Sequence, residues 1–106
     1  MSELASNILF QLSNFYSYEK QLFSSVIESK FEVSGVEVRK AINELIDAGY
    51  FIGSGSKGYW LVENREQAEE AIGEIYSREI KLRDRRIKLE KLKGIKFGYT
   101  NQTELF

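Results

Sequence analysis

The chain has 106 residues, 42% apolar and 29% charged, which fits one modest core with an appended helix and leaves no room for two full domains. It contains no cysteine and no histidine, so disulfides, thiolate chemistry and the commonest general base are missing. No apolar run approaches the roughly 18 residues of a membrane span, the first residues lack a signal-peptide pattern, and the net charge is −1, so we expect a cytoplasmic protein without a membrane partner.

Leu4, Ile8, Leu9 and Leu12 recur at helical spacing and predict an amphipathic helix from residue 2 to about residue 14. The aromatic run Asn14-Phe15-Tyr16-Ser17-Tyr18 breaks that period and reads as a short extended link or strand. A second helix is expected to carry Leu22, Phe23, Val26 and Ile27 on one face and to end near Lys30, with Phe31 beneath the following turn. Ser34-Gly35-Val36-Glu37 then matches a capping box, in which Ser34 accepts the amide of Glu37 and Glu37 reaches back to the amide of Ser34. Val33 and Val38 are placed for a hydrophobic staple across that cap. The helix so started points Val38, Ala41, Ile42, Leu45 and Ile46 inward and stops at Gly49. Two helices joined by three or four residues, the second firmly capped, form a helix-turn-helix pattern.

After Gly49 the period becomes extended. Tyr50-Phe51-Ile52 and Tyr59-Trp60-Leu61-Val62 flank the glycine-rich run 53–58, which predicts a β-hairpin with a six-residue, mobile tip. Asn64, supported by Gln67, caps a long helix that Gly94 is expected to end. Along it Ala68, Ile72, Ile75, Leu82 and Leu89 keep one face, and Tyr76, Ile80 and Ile87 form a neighbouring stripe. Ile75, Leu82 and Leu89 are seven apart, although their neighbours do not complete a clean heptad. Ile95 to Phe106 shows no periodicity and reads as an extended or disordered tail. Charge divides along the same line: residues 1–77 carry a net −6 and residues 78–96 a net +6.

Residues from about 20 to 62 resemble the winged helix-turn-helix modules of bacterial and phage proteins, most closely the small N-terminal DNA-binding domain of biotin-ligase repressors. The resemblance rests on Val33-Ser34-Gly35, on Val38-Arg39-Lys40-Ala41-Ile42-Asn43-Glu44-Leu45, on Ala48-Gly49-Tyr50 and on Gly58-Tyr59-Trp60-Leu61. It implies a recognition helix in the major groove of double-stranded DNA, presenting Ser34, Val36, Arg39, Lys40 and Asn43. Arg39 suits guanine, Asn43 suits adenine, and Lys40 suits phosphate or guanine. Lys57 at the wing tip would reach a flanking phosphate or the minor groove. Glu37, Glu44 and Asp47 leave the recognition helix without net positive charge, so Arg83 and Arg86 of the basic helix are candidates to supply phosphate attraction. No ligase domain follows, and no pair of carboxylates sits in the setting of an active site, so we expect a non-enzyme without cofactor or metal.

Two further strings bear on function. Gly53 to Gly58 spells GxGxxG, but a strand pattern follows where a dinucleotide site needs a helix. Gln102-Thr103-Glu104-Leu105-Phe106 resembles the peptide by which bacterial replication and repair proteins hold the sliding clamp, with Gln102 as the polar anchor and Leu105 and Phe106 as the apolar pair. The expected fold is α+β, mostly α. It comprises a winged helix-turn-helix with a β-hairpin wing over residues 1–63, a long basic helix over 64–93 and a tail over 94–106. The expected function is DNA binding as a transcription regulator or replication accessory protein, with the long helix available for homodimerisation. The competing expectation is a replisome adaptor that binds proteins and not DNA.

Overall fold

The computed structural model describes residues 1–98. Four helices and one hairpin follow in the order α1 (Glu3–Phe15), α2 (Ser24–Phe31), α3 (Gly35–Asp47), β1 (Ile52–Gly55), β2 (Gly58–Leu61) and α4 (Arg65–Phe97). The described chain is therefore mostly helical, with a two-stranded antiparallel sheet. It divides into a body, Met1–Glu74, and a second unit that begins at Ile75.

In the body, α1 starts at Ser2, whose hydroxyl accepts the amide of Ala5 at 3.1 Å. Its apolar positions fall one turn apart and bury Ala5, Ile8 and Leu12. The expectation for α2 needs correcting at its start. Leu22 and Phe23 lie outside the helix, because both backbone hydrogen-bonding groups of Leu22 are taken by Tyr59 in an isolated antiparallel bridge, at 2.8 Å in each direction. Phe23 is the extended N-cap; of the anticipated apolar face Leu22 and Ile27 are buried, whereas Phe23 and Val26 are exposed. The helix ends at Glu32, in left-handed conformation (φ 54), with the amides of Glu32 and Val33 both donating to the Glu28 carbonyl.

The capping box of α3 forms as the sequence requires: Ser34 Oγ accepts the Glu37 amide and Glu37 Oε2 accepts the Ser34 amide, each at 3.2 Å. Val38, Ala41, Ile42 and Leu45 are buried, whereas Ile46, expected inward, is 46% exposed. Its position falls just off the buried arc, where the chain turns away through Ala48 and Gly49. The amide of Tyr50 closes the end of α3 on the Leu45 carbonyl at 3.0 Å.

The hairpin is tighter than its sequence implies. Ile52 pairs with Leu61, Gly53 with Trp60, Ser54 with Tyr59 and Gly55 with Gly58, so only Ser56 and Lys57 form the turn. The anticipated six-residue mobile tip is replaced by ladder pairs reaching to Gly58, whose positive φ of 119° lets the strand leave the turn. A Cβ at Gly53 would lie 2.4 Å from Cζ2 of Trp60, so the indole lies across the glycine of the opposite strand. The Leu22–Tyr59 bridge attaches this hairpin to the segment before α2, and Ala5, Ile8, Leu12, Leu22, Ile27, Val38, Ala41, Ile42, Leu45 and Ile52 form one core. Each large aliphatic side chain so buried stabilises the fold by about 1.5–3 kcal/mol.

Asn64 caps α4, accepting the Gln67 amide at 2.9 Å, while Gln67 Oε1 accepts the amide of Glu63 at 3.0 Å. Ala71 is buried in the body. The helix does not stop at Gly94 but runs to Phe97, since an isolated glycine costs a helix only about 1 kcal/mol. Residues 95–97, expected in the tail, therefore belong to α4. In the second unit Leu82, Leu89, Leu92, Ile95 and Phe97 are all exposed. No helix among the described residues is long and apolar enough to cross a membrane.

Candidate nucleic-acid interface

Burial of one side of α3 leaves the other side outward. Ser34, Val36, Arg39, Lys40 and Asn43 are all exposed there, Val36 to 58%. The structure thus brings together on one helix face the five residues that the sequence singles out. Ser34 is committed to the capping box, so its hydroxyl is held by the helix it starts.

Two of the three acidic groups of α3 are also held by the protein. Glu37 caps the helix, and Glu44 turns to the chain start, where Oε1 accepts the Ser2 amide and lies 3.7 Å from the Met1 amine. Hydrogen bonding from the Ser2 backbone holds the Glu44 carboxyl below the usual carboxylate range, against the opposing effect of desolvation. Lys40, one helical turn from Glu44, therefore has no ion pair among the described residues, and neither has Arg39. A methyl on Gly35 would lie 3.4 Å from Arg39 Nη1 and 3.6 Å from Glu28 Oε1, so the guanidinium shares this surface with a carboxylate of α2. Glu28 in turn accepts the Ser24 hydroxyl at 2.9 Å.

The Glu44 contact has a pH consequence. A carboxyl whose folded pKa is depressed contributes stability that is present above its unfolded value and lost as pH falls through the folded one. Glu44→Gln should therefore lower the urea midpoint at neutral pH and leave a smaller difference at pH 3. An equal loss at both pH values would show that the contact owes nothing to the carboxylate charge.

Lys57 stands exposed in the hairpin turn, but its surroundings are acidic. It borders a cavity of about 220 Å3 lined also by Tyr18, Glu19, Gln21, Trp60, Glu70 and Glu74. The Glu74 carboxylate lies 3.6 Å from where a Cβ of Gly55 would stand. A hydrogen bond with Glu70, followed by partial burial and the nearby carboxylates, raises the Tyr18 phenol above its ordinary value. Gln21 Oε1 and Trp60 Nε1 are buried with no hydrogen-bond partner among the described residues. Sequence reasoning missed this acidic cluster. The signal was present in the i,i+4 pair Glu70 and Glu74, but their approach to the hairpin depends on the docking of the first turns of α4.

In the second unit, Arg86 pairs with Glu90 at 2.9 Å and both side chains remain well exposed. Arg83 is exposed and without an ion pair among the described residues. Gln102, Leu105 and Phe106 lie outside the described residues. No group of Asp and Glu side chains able to hold a metal ion occurs among the described residues. No family model, curated protein or solved structure matches the chain.

Proposed function

We propose that the chain is a non-catalytic double-stranded DNA-binding protein of the winged helix-turn-helix kind, with α3 entering the major groove and the hairpin lying alongside. The observation that carries this reading is the outward face of α3, where Val36, Arg39, Lys40 and Asn43 stand exposed on a helix whose other side is locked into the core. The order of elements supports it: α2, a three-residue turn, capped α3, then a hairpin bridged to Leu22. The side chains available on α3 match base edges and phosphate by chemistry, and a good bidentate base contact contributes about 1–3 kcal/mol. The +6 segment, through Arg83 in particular, adds sequence-independent phosphate attraction.

Fluorescence anisotropy on mixed-sequence duplexes, titrated from low to physiological salt, tests the proposal. Binding should weaken steeply with salt, and Arg39→Ala combined with Lys40→Ala should lower affinity by about tenfold or more. No binding at low salt, or an unchanged affinity in the double variant, would overturn it.

A second reading is favoured by the carboxylates around Lys57: a protein-interaction adaptor whose hairpin surface is acidic. In that reading Gln102, Leu105 and Phe106 engage the sliding clamp. Calorimetry with a peptide ending Gln-Thr-Glu-Leu-Phe, beside its Leu105/Phe106 double-alanine form, tests the clamp contact: heat from the first and none from the second, together with no duplex binding by the full chain, supports the adaptor.

A further inference from the structure

Among its described residues, the second unit leaves an apolar seam without a partner. Ile75, Leu82 and Leu89 are 50%, 61% and 57% exposed, each seven residues from the next. Glu79, Arg86 and Lys93 occupy the alternate positions of the same face, four residues after each apolar one. Leu82, Leu89 and Lys93 line a shallow groove of about 370 Å3 together with Arg86. Removing such side chains from water is favourable by about 25 cal/mol per Å2, and nothing in the described chain covers them.

We propose that this part of α4 pairs with the same part of a second copy of the chain, and that the two helices run antiparallel. The charged seam positions decide the direction. In a parallel, in-register pair, Glu79 meets Glu79 of the second copy, Arg86 meets Arg86 and Lys93 meets Lys93, three like-charge encounters at the seam. In an antiparallel pair with its two-fold axis between Leu82 and Arg83, Glu79 faces Arg86 of the second copy. The same ion pair is repeated on the other side of the axis. Ile75 then lies beside Leu89 and Glu90 of the second copy, so apolar contact and charge complementarity coincide in one register. Arg86 exchanges an exposed intrahelical partner, Glu90, for one across the seam. The pairing does not depend on what α3 binds.

Because the chain has no cysteine, introduced thiols report direction without ambiguity. Sedimentation of the full chain should give a dimer, and Leu82→Glu a monomer whose Trp60 emission shows the body still folded. Glu79→Arg and Arg86→Glu should each weaken the dimer, and the two together in one chain should restore it. Oxidation of a mixture of Ile75→Cys and Leu89→Cys chains, one carrying a size tag, should yield the mixed disulfide. Leu89→Cys alone should yield none, since antiparallel pairing holds the two residues 89 about 20 Å apart, beyond the reach of a disulfide. A wild-type chain that stays monomeric at the highest concentration it tolerates would overturn the pairing, and an efficient Leu89→Cys homodisulfide would overturn its direction.

Discussion

Gly58→Ala should destabilise the body by about 3–5 kcal/mol, a large share of the stability of a domain of this size. Two effects combine at this residue. Its φ of +119° is a conformation that L side chains rarely adopt, and holding alanine there costs about 1–3 kcal/mol. The new Cβ would also stand 2.4 Å from the carbonyl oxygen of Leu22. That neighbour is backbone, not a side chain that can swing away. Relief requires the two segments to part, which endangers the paired 2.8 Å hydrogen bonds between Leu22 and Tyr59, each contributing about 0.5–1.5 kcal/mol net. Urea unfolding followed by emission of the single tryptophan measures the loss. Gly73→Ala is the control: it sits in α4 with nothing within 4 Å of the new methyl, and should be neutral or stabilising by up to about 1 kcal/mol. Equal midpoints for the two variants would mean that the bridge contributes nothing to the fold.

Most of the helical framework was legible in the sequence because its signals are local. Ser34 with Glu37, and Asn64 with Gln67, fix two helix starts through hydrogen bonds between residues three apart, and both starts stand where those residues place them. What was not legible depends on partners distant in sequence. Leu22 has apolar spacing to Val26 and Ile27 suited to a helix, yet its backbone groups belong to Tyr59, thirty-seven positions on. Gly53 and Gly55 read as turn residues, but they are strand residues that make room, Gly53 for an indole ring and Gly55 beside a carboxylate. Gly94 reads as a stop, but nothing after it competes with the helix before Gly98.

The same limit applied to the candidate site. The outward residues of α3 could be read from its period, since burial of Val38, Ala41, Ile42 and Leu45 leaves little choice about which side chains face out. Their electrostatic setting could not. A net-charge count over α3 treats Glu37 and Glu44 alike as surface acids, whereas one closes the helix start and the other ties α3 to the amide of Ser2. Conversely, Lys57 counts as a free cation at a wing tip, but three glutamates from two other segments border the same cavity. For DNA binding this predicts an uneven interface, in which the α3 face contributes more than the hairpin turn. Lys57→Ala should then cost less affinity than Arg39→Ala.

The cross-strand pair Gly53–Trp60 carries the second large effect. Trp60 is 2% exposed and is the largest of the fully buried side chains, so Trp60→Ala should cost about 3–5 kcal/mol through lost burial and the cavity left behind. Gly53→Ala acts from the other side of the same contact. Its methyl would meet Cζ2 at 2.4 Å and Cε2 and Cη2 at 2.6 Å, so the ring must shift and break its edge contact with Tyr18, whose centroid lies 5.4 Å away. Overpacking of this kind costs about 1–3 kcal/mol. The two substitutions should not add. Once the indole is gone, the methyl introduced by Gly53→Ala enters the space the ring occupied, so the double variant should be more stable than the sum of the single losses by about 1–2 kcal/mol. Far-UV circular dichroism in urea gives all three values without relying on the lost tryptophan. Losses that add within about 0.5 kcal/mol would mean that the ring does not rest on Gly53 in solution, and the glycine there would then be explained by strand geometry alone.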